Sequence, residues 1–459
     1  MRKPVVVLVG RPNVGKSTLF NRLAGERLAI IDDIPGTTRD RLLAESDWSG
    51  YDFFIVDTGG IDPTRIGKQA PLSIGSSDFI ADIRIQAEIA MEEANVILFI
   101  VDARSGVTPA DHEIADILRR KQRIVDGKEV PPIVLVANKA DSETWRDHSV
   151  DFYELGMGDP FPISAYHGTG TGDLLDEVVK HFQIESEELE DDESIKIAIV
   201  GKPNAGKSSL LNKLVGKERS IVSPIAGTTR DAIDTLIDCQ GIPVTLIDTA
   251  GIRKRGSVEP GVEKYSVLRA MQAIERADVA LLIIDAVSGI TAQDTHIAGY
   301  ISNAWKSAVV IVNKWDLIEK DNYTMLDYEK RIRQELNFMD YVPVIFISAM
   351  TGQRVDQVLP IALRVQEERL VRLSTSQLNR ILQDAQDLHQ APSGTGKPFR
   401  IYYGTQVRSD PPTFLLYCND PELAHFTYLR FLENQVRKVY PFLGTPIRLV
   451  LKKRERKEE

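Results

Sequence analysis

Gly10-Arg11-Pro12-Asn13-Val14-Gly15-Lys16-Ser17 returns 191 residues later as Gly201-Lys202-Pro203-Asn204-Ala205-Gly206-Lys207-Ser208. Each copy follows an apolar run, Val5 to Val9 or Ile197 to Val200, and precedes a helical pattern beginning near Thr18 or Ser209. A glycine-rich turn between a strand and a helix is the setting in which Gly-x-x-x-x-Gly-Lys-Ser holds phosphate. The glycines let the backbone wrap closely, so successive N–H groups and the helix N-terminus face phosphate oxygens. Lys16 and Lys207 supply positive charge, and Ser17 and Ser208 are placed to offer a hydroxyl to Mg²⁺. The duplication predicts two phosphate-binding folds in one chain.

The repeat continues downstream. Asp57-Thr58-Gly59-Gly60 matches Asp248-Thr249-Ala250-Gly251 at the same offset of 191, and Asp102-Ala103-Arg104-Ser105-Gly106 matches Asp285-Ala286-Val287-Ser288-Gly289 at 183. Asn138-Lys139-Ala140-Asp141 matches Asn313-Lys314-Trp315-Asp316, and Ser164-Ala165 matches Ser348-Ala349. One Asp-x-x-Gly alone reads as an ordinary turn. Five motifs in the same order do not. The Asn-Lys-x-Asp motifs select guanine: the carboxylate of Asp141 or Asp316 can accept from both N1–H and the exocyclic amine. Adenine presents an unprotonated N1 there, and an unpaired carboxylate discriminates against ATP. The amides of Asn138 and Asn313 suit the other edge of the base, Lys139 and Lys314 can pack their stems along the ring, and the Ser-Ala pairs form the loops beneath it.

For hydrolysis, Thr37-Thr38-Arg39-Asp40 and Thr228-Thr229-Arg230-Asp231 lie in the expected first switch, with Thr38 and Thr229 favoured as Mg²⁺ ligands that sense the γ-phosphate. Asp57 and Asp248 would hold Mg²⁺ through its water shell, and the Gly60 and Gly251 amides would bond the γ-phosphate. Ile61 and Ile252 stand where many GTPases carry a water-orienting Gln, so unassisted turnover should be slow.

At 459 residues the chain is too long for one core, and about three domains are expected. Seven of the nine residues in Glu185-Ser186-Glu187-Glu188-Leu189-Glu190-Asp191-Asp192-Glu193 are acidic, a run that repels itself and reads as an exposed linker. It separates a first α/β domain, 1–184, from a second, 194–370, each alternating apolar strand-like runs with amphipathic segments as a mostly parallel sheet with helices on both faces requires. Residues 371–459 carry no nucleotide motif. Helix (377–389), two strands (399–407 and 413–418), a long helix (422–440) and a last strand (447–451) describe a small α+β domain. That order resembles a KH fold, although Ser393-Gly394-Thr395-Gly396-Lys397 is not the Gly-x-x-Gly clamp that grips RNA in typical KH modules.

The net charge is −10, yet from Ser374 onward 13 Lys/Arg face 9 Asp/Glu. The end of the chain, Lys452-Lys453-Arg454-Glu455-Arg456-Lys457, reads either as a solvated basic tail or as a phosphate-backbone contact. Cys239 and Cys418 are too few for a disulfide framework and fit small buried positions in a reducing compartment. With Met1 running directly into the first strand and no apolar stretch of about 18 residues, neither a signal peptide nor a membrane span is expected.

Across essentially its whole length the chain resembles the Der (EngA) tandem-domain GTPases, a bacterial and organellar group of ribosome-assembly factors. The likeness rests on two phosphate loops containing Pro-Asn, paired Gly-Thr-Thr-Arg-Asp switches, an acidic linker and the KH-like end. It implies GTP hydrolysis at two sites, binding to the large ribosomal subunit and its rRNA, a cytoplasmic location, no DNA or membrane partner, and a monomer off the ribosome. It also implies that Asn13 and Asn204 help ligate K⁺ beside the phosphates, where a cation would offset transition-state charge; the other reading is that they brace the loop. A GTPase of RNA modification would need a modification domain for which no residues remain. A membrane-associated GTPase would need a span, an anchor or a lipid-facing helix, and none is legible.

Overall fold

The computed structural model describes residues 3–25, 43–57, 94–125, 128–182, 194–217, 234–247, 263–319, 321, 323–389 and 398–454. The expected acidic linker, and the segment Ser393 to Lys397, lie outside them. The described residues divide into two compact units, one comprising those up to 182 and the other those from 194 onward.

In the first unit β1 (Val5–Val9) leads through a tight loop into α1 (Lys16–Ala24). There follow β2 (Leu43–Trp48), β3 (Tyr51–Asp57), β4 (Val96–Asp102), α2 (Pro109–Lys121), a hairpin of β5 (Arg123–Val125) and β6 (Lys128–Val130), β7 (Ile133–Asn138), α3 (Glu143–Asp147), β8 (Phe161–Pro162) and α4 (Thr171–Lys180). The six-stranded sheet has the order β2-β3-β1-β4-β7-β8, with β2 and β3 antiparallel and the other pairs parallel. β4 is buried along its whole length, which is why Val-Ile-Leu-Phe-Ile-Val-Asp shows no polar alternation: a parallel sheet with both faces covered has no wet side. Asn138 follows Asp102 by 36 positions and Asn313 follows Asp285 by 28. The β5–β6 hairpin, which sequence reading missed, accounts for the difference.

The second unit repeats this fold with β9 (Ile195–Val200), α5 (Lys207–Lys217), β10 (Thr235–Cys239), β11 (Ile242–Ile247), α6 (Glu263–Arg276), β12 (Val279–Asp285), α7 (Ala292–Asn303), β13 (Ser307–Asn313), α8 (Thr324–Glu335), β14 (Val344–Phe346) and α9 (Val358–Leu370). Its sheet runs β10-β11-β9-β12-β13-β14. Successive strand residues divide between two cores, as alternation across a pleat dictates. Ile197, Leu281, Ile283, Val309 and Ile311 pack with Leu210, Leu214, Leu359 and Ala362. Ala198, Leu282, Ile284, Val310 and Val312 pack with Ile274, Ile297 and Ile332.

The remaining elements are α10 (Thr375–Leu388), β15 (Ile401–Ser409), β16 (Pro412–Cys418), α11 (Phe426–Val439) and β17 (Arg448–Lys453). Ser374 and Gln377 close a capping box at the head of α10, each side chain bonding the other's backbone N–H at 3.3 and 3.0 Å. β15 and β16 pair antiparallel and β16 and β17 parallel. The helix expected from 422 begins only at Phe426: Pro421-Glu422-Leu423 forms a separate 3-10 turn capped by Asp420, and His425 Nδ1 accepts from Thr427 N at the true helix start. Cys239 and Cys418 are both buried, and neither is joined in a disulfide.

This α+β region shares a compact unit with the second sheet because it is bonded to it. Ala308 N donates to Gly444 O at 2.8 Å and Gly444 N to Tyr341 O at 2.9 Å. The hydroxyls of Ser307 and Thr445 lie 2.9 Å apart, both fully buried. Arg369, 4% exposed at the end of α9, donates to Trp305 O at 2.9 Å and pairs with Asp410.

Candidate nucleotide sites

Both phosphate loops are built so that only glycine fits at their ends. A Cβ on Gly10 (φ +157°) would lie 2.3 Å from Ile100 O, and one on Gly15 (φ +96°) 2.3 Å from Asn138 Nδ2. The second copy repeats this at Gly201, 2.4 Å from Ile283 O, and Gly206, 2.1 Å from Asn313 Nδ2. Asn13 and Asn204 are left-handed, with φ of 66° and 61°, a conformation asparagine tolerates better than most residues. Both side chains are exposed, as is Pro12, whereas Val14 and Ala205 are buried.

Lys16 Nζ donates to Gly10 O at 2.6 Å and Arg11 O at 2.9 Å; Lys207 Nζ donates to Gly201 O at 2.8 Å and Lys202 O at 2.7 Å. Burial lowers the Lys16 ammonium to a pKa of about 8, Asp57 opposing and Arg11 assisting the shift. Ser17 Oγ donates to Asp57 Oδ2 at 2.7 Å, bringing together two hard oxygen donors of the kind Mg²⁺ prefers. Ser208 holds the same place on α5. Thr38, Thr58, Gly59, Gly60 and Ile61, with Thr229, Asp248, Thr249, Ala250, Gly251 and Ile252, lie outside the described residues.

Asn138, expected at the base edge, is engaged by the protein. Its Nδ2 donates to Val14 O at 2.8 Å and its Oδ1 accepts from Ala165 N at 2.9 Å, so it ties the phosphate loop to the Ser-Ala loop. Asn313 does the same with Ala205 O and Ala349 N, both at 2.9 Å. Ala140 and Trp315 also point inward, the indole packing 4.5 Å from the Phe346 ring. Lys139 Nζ bonds Asn13 O and Asp102 Oδ2, each at 2.6 Å, and Lys314 Nζ bonds Asp285 Oδ2 at 2.7 Å.

The two candidate base pockets differ. Asp141 accepts from Ser164 Oγ at 2.5 Å and pairs with Arg104; the Ser164 bond is the main reason its carboxyl lies below the usual range. Val287 stands at the position of Arg104 in the second copy, where Asp316 is exposed and Ser348 buried. Sequence reading gave no role to Asp102 and Asp285, which anchor the two lysines, nor to Asp111 and Asp294. Those last two are fully buried, accept from Thr108 and Thr291 in capping boxes, and face the basic loop residues. Arg11 Nε lies 3.3 Å from Asp111, and Lys202 Nζ lies 2.6 Å from Ser288 Oγ and 3.8 Å from Asp294. The signal was present as Thr-x-x-Asp ahead of each helix.

Residues 5–139 and 196–314 match a family profile described as a 50S ribosome-binding GTPase, and residues 372–452 match the C-terminal KH-domain-like region of EngA bacterial GTPase enzymes. The GTPase Der of Chloroflexus aggregans is 51% identical over all of both chains; that of Herpetosiphon aurantiacus is 53% identical over all of this chain and 98% of its own. A solved structure of Era in complex with MgGDPNP and nucleotides 1506–1542 of 16S ribosomal RNA is 25% identical, with a TM-score of 0.30, over 57% of this chain and 93% of that one. Among the described residues no helix is long and apolar enough to cross a membrane. Duplicated phosphate loops, duplicated guanine motifs and full-length identity converge: the chain belongs to the Der family of GTPases and is a GTP-binding GTP hydrolase.

Proposed function

We propose that both sites turn over GTP and that their nucleotide states time the binding of this protein to the large ribosomal subunit during its assembly, in a bacterial or organellar interior. Water attacks the γ-phosphorus, the bond to the β–γ bridging oxygen breaks, and GDP and phosphate leave. Lys16 and Lys207 meet the phosphates, Asp141 and Asp316 read the base, and Asn138 and Asn313 hold the walls of each pocket together. Mg²⁺, when bound, would offset phosphate charge; Ser17 and Ser208, with Thr38 and Thr229, are its candidate ligands, and Asp57 and Asp248 would hold it through its water shell. The exposed amides of Asn13 and Asn204 are the candidate ligands of K⁺.

The observation that carries the two-site reading is the repeated asparagine bridge, 2.8 and 2.9 Å in one copy and 2.9 and 2.9 Å in the other, which keeps both pockets assembled. The ribosomal part is supported by the description of the matching family. Cosedimentation with purified large subunits is the test. Binding should be tighter with a non-hydrolysable GTP analogue than with GDP, should fall steeply with salt, and should weaken in both Asp141→Asn and Asp316→Asn. Equal association in every nucleotide state would reject the timing, and none in any state would reject the partner.

A further inference from the structure

Tyr402, Tyr403 and Tyr417 stand with Lys452, Lys453 and Arg454 around a depression of about 490 Å³ on the α+β domain, remote in sequence from every nucleotide motif. Consecutive strand residues normally point to opposite faces. Here Ile401 is buried and a Cβ on Gly404 would meet Leu382 and Leu416, so both face the core, while Tyr402 and Tyr403 between them are 45% and 43% exposed. The cause is a shift in the pairing of β15 with β16 between Ile401 and Tyr403. Such a bulge adds one residue to the strand and re-aims a side chain.

What the bulge exposes is an organised surface. Tyr403 stacks on Tyr417 across the strands with ring centres 4.8 Å apart and planes 10° from parallel. Tyr417 is in register with Lys452 on β17, and the Arg454 guanidinium lies 5.2 Å over the Tyr402 ring. Among the described residues none of the three cations forms an ion pair, and all three are exposed. Flat aromatic faces receive bases, and unpaired cations follow phosphates; the combination suits a single strand, because a duplex keeps its base faces covered.

We propose that this sheet face binds single-stranded RNA, with unstacked bases received by Tyr402 and the Tyr403–Tyr417 pair and the backbone followed by Lys452, Lys453 and Arg454. The choice of RNA rests on the ribosomal reading above; the stacking surface does not. The full-length protein should bind a fluorescein-labelled single-stranded RNA decamer of mixed sequence in an anisotropy titration. Tyr402→Ala should weaken that binding about tenfold and Tyr402→Phe should preserve it. Tyr402 is exposed, so an unchanged melting temperature shows that the variant is folded. Replacing Lys452 and Lys453 by Gln should reduce the slope of log K against log salt by about 1.4. No binding of the strand, Tyr402→Ala binding as wild type, or a duplex of equal length binding as tightly would each overturn the proposal. Oligonucleotide binding that survives when large subunits fail to cosediment would instead reject the ribosomal reading and leave the surface standing.

Discussion

Lys16 shows how a single residue makes the loop sensitive to its ligand. The ammonium is 6% exposed, and this burial lowers its pKa to about 8 although Asp57 and the two backbone carbonyls it bonds favour the charge. A phosphate restores the charge, so binding above that value takes up a proton. The sign follows: affinity is full below about pH 8 and declines as pH rises through it, up to the ordinary lysine range, whereas the unfolded chain carries this charge throughout. In an Asp316→Asn background that isolates the first site, GDP affinity is expected to drop roughly fourfold between pH 7 and pH 8.5. Calorimetry in buffers of different ionisation enthalpy would read the accompanying proton uptake. A flat profile would mean that Lys16 is charged before the nucleotide arrives.

At the scale of elements, the two nucleotide folds differ by an insertion that the site does not use. The β5–β6 hairpin occupies residues 123–130, and its neck is closed by Gln122 Nε2 donating to Pro131 O at 3.1 Å. In the second copy α7 reaches β13 through three residues, 304–306. Deleting residues 123–130 leaves three residues for the same connection, and a three-residue link already serves there. The shortened chain should keep GDP affinity at the first site within about twofold and lose only a few degrees of melting temperature, since short connections between a helix and a strand are ordinary. Loss of binding would show that the hairpin supports β7 and through it Asn138. The strands were legible because burial on both faces leaves an unbroken apolar run, as in β12, and the loops because their glycines and lysines recur at fixed offsets. The asparagine bridges were not, since an amide suited to a base edge is chemically identical to one suited to two backbone groups. The bulge at Tyr402 was hidden for a similar reason: two adjacent tyrosines in an apolar run read as ordinary alternation.

For the molecule as a whole, the decisive contact lies where residues 371 onward meet the second nucleotide fold. Nothing in Leu443-Gly444-Thr445 announces more than a turn, yet Gly444 has φ +67° and exchanges backbone hydrogen bonds with Ala308 and Tyr341. The Arg437 guanidinium covers the Tyr341 ring at 4.1 Å beside it, and Thr445 Oγ1 lies 3.3 Å from Val365 O. Sequence reading separates these regions because each carries its own elements; the structure unites them through groups whose partners are more than 60 residues away. Gly444 is therefore the place to test whether the union is energetic as well as geometric. A Cβ there would lie 2.6 Å from a Val365 methyl and 2.7 Å from Ala308 O, and the left-handed backbone adds about 1–2 kcal/mol of strain. The valine can yield, but the strand carbonyl cannot. Gly444→Ala is expected to destabilise the second unit by about 2 kcal/mol or more and to detach the transition of the α+β region from that of the sheet it rests on. Scanning calorimetry of the full chain would show this as a new low-temperature transition. A single transition at the wild-type temperature would mean that the two regions still unfold together and that this contact does not couple them.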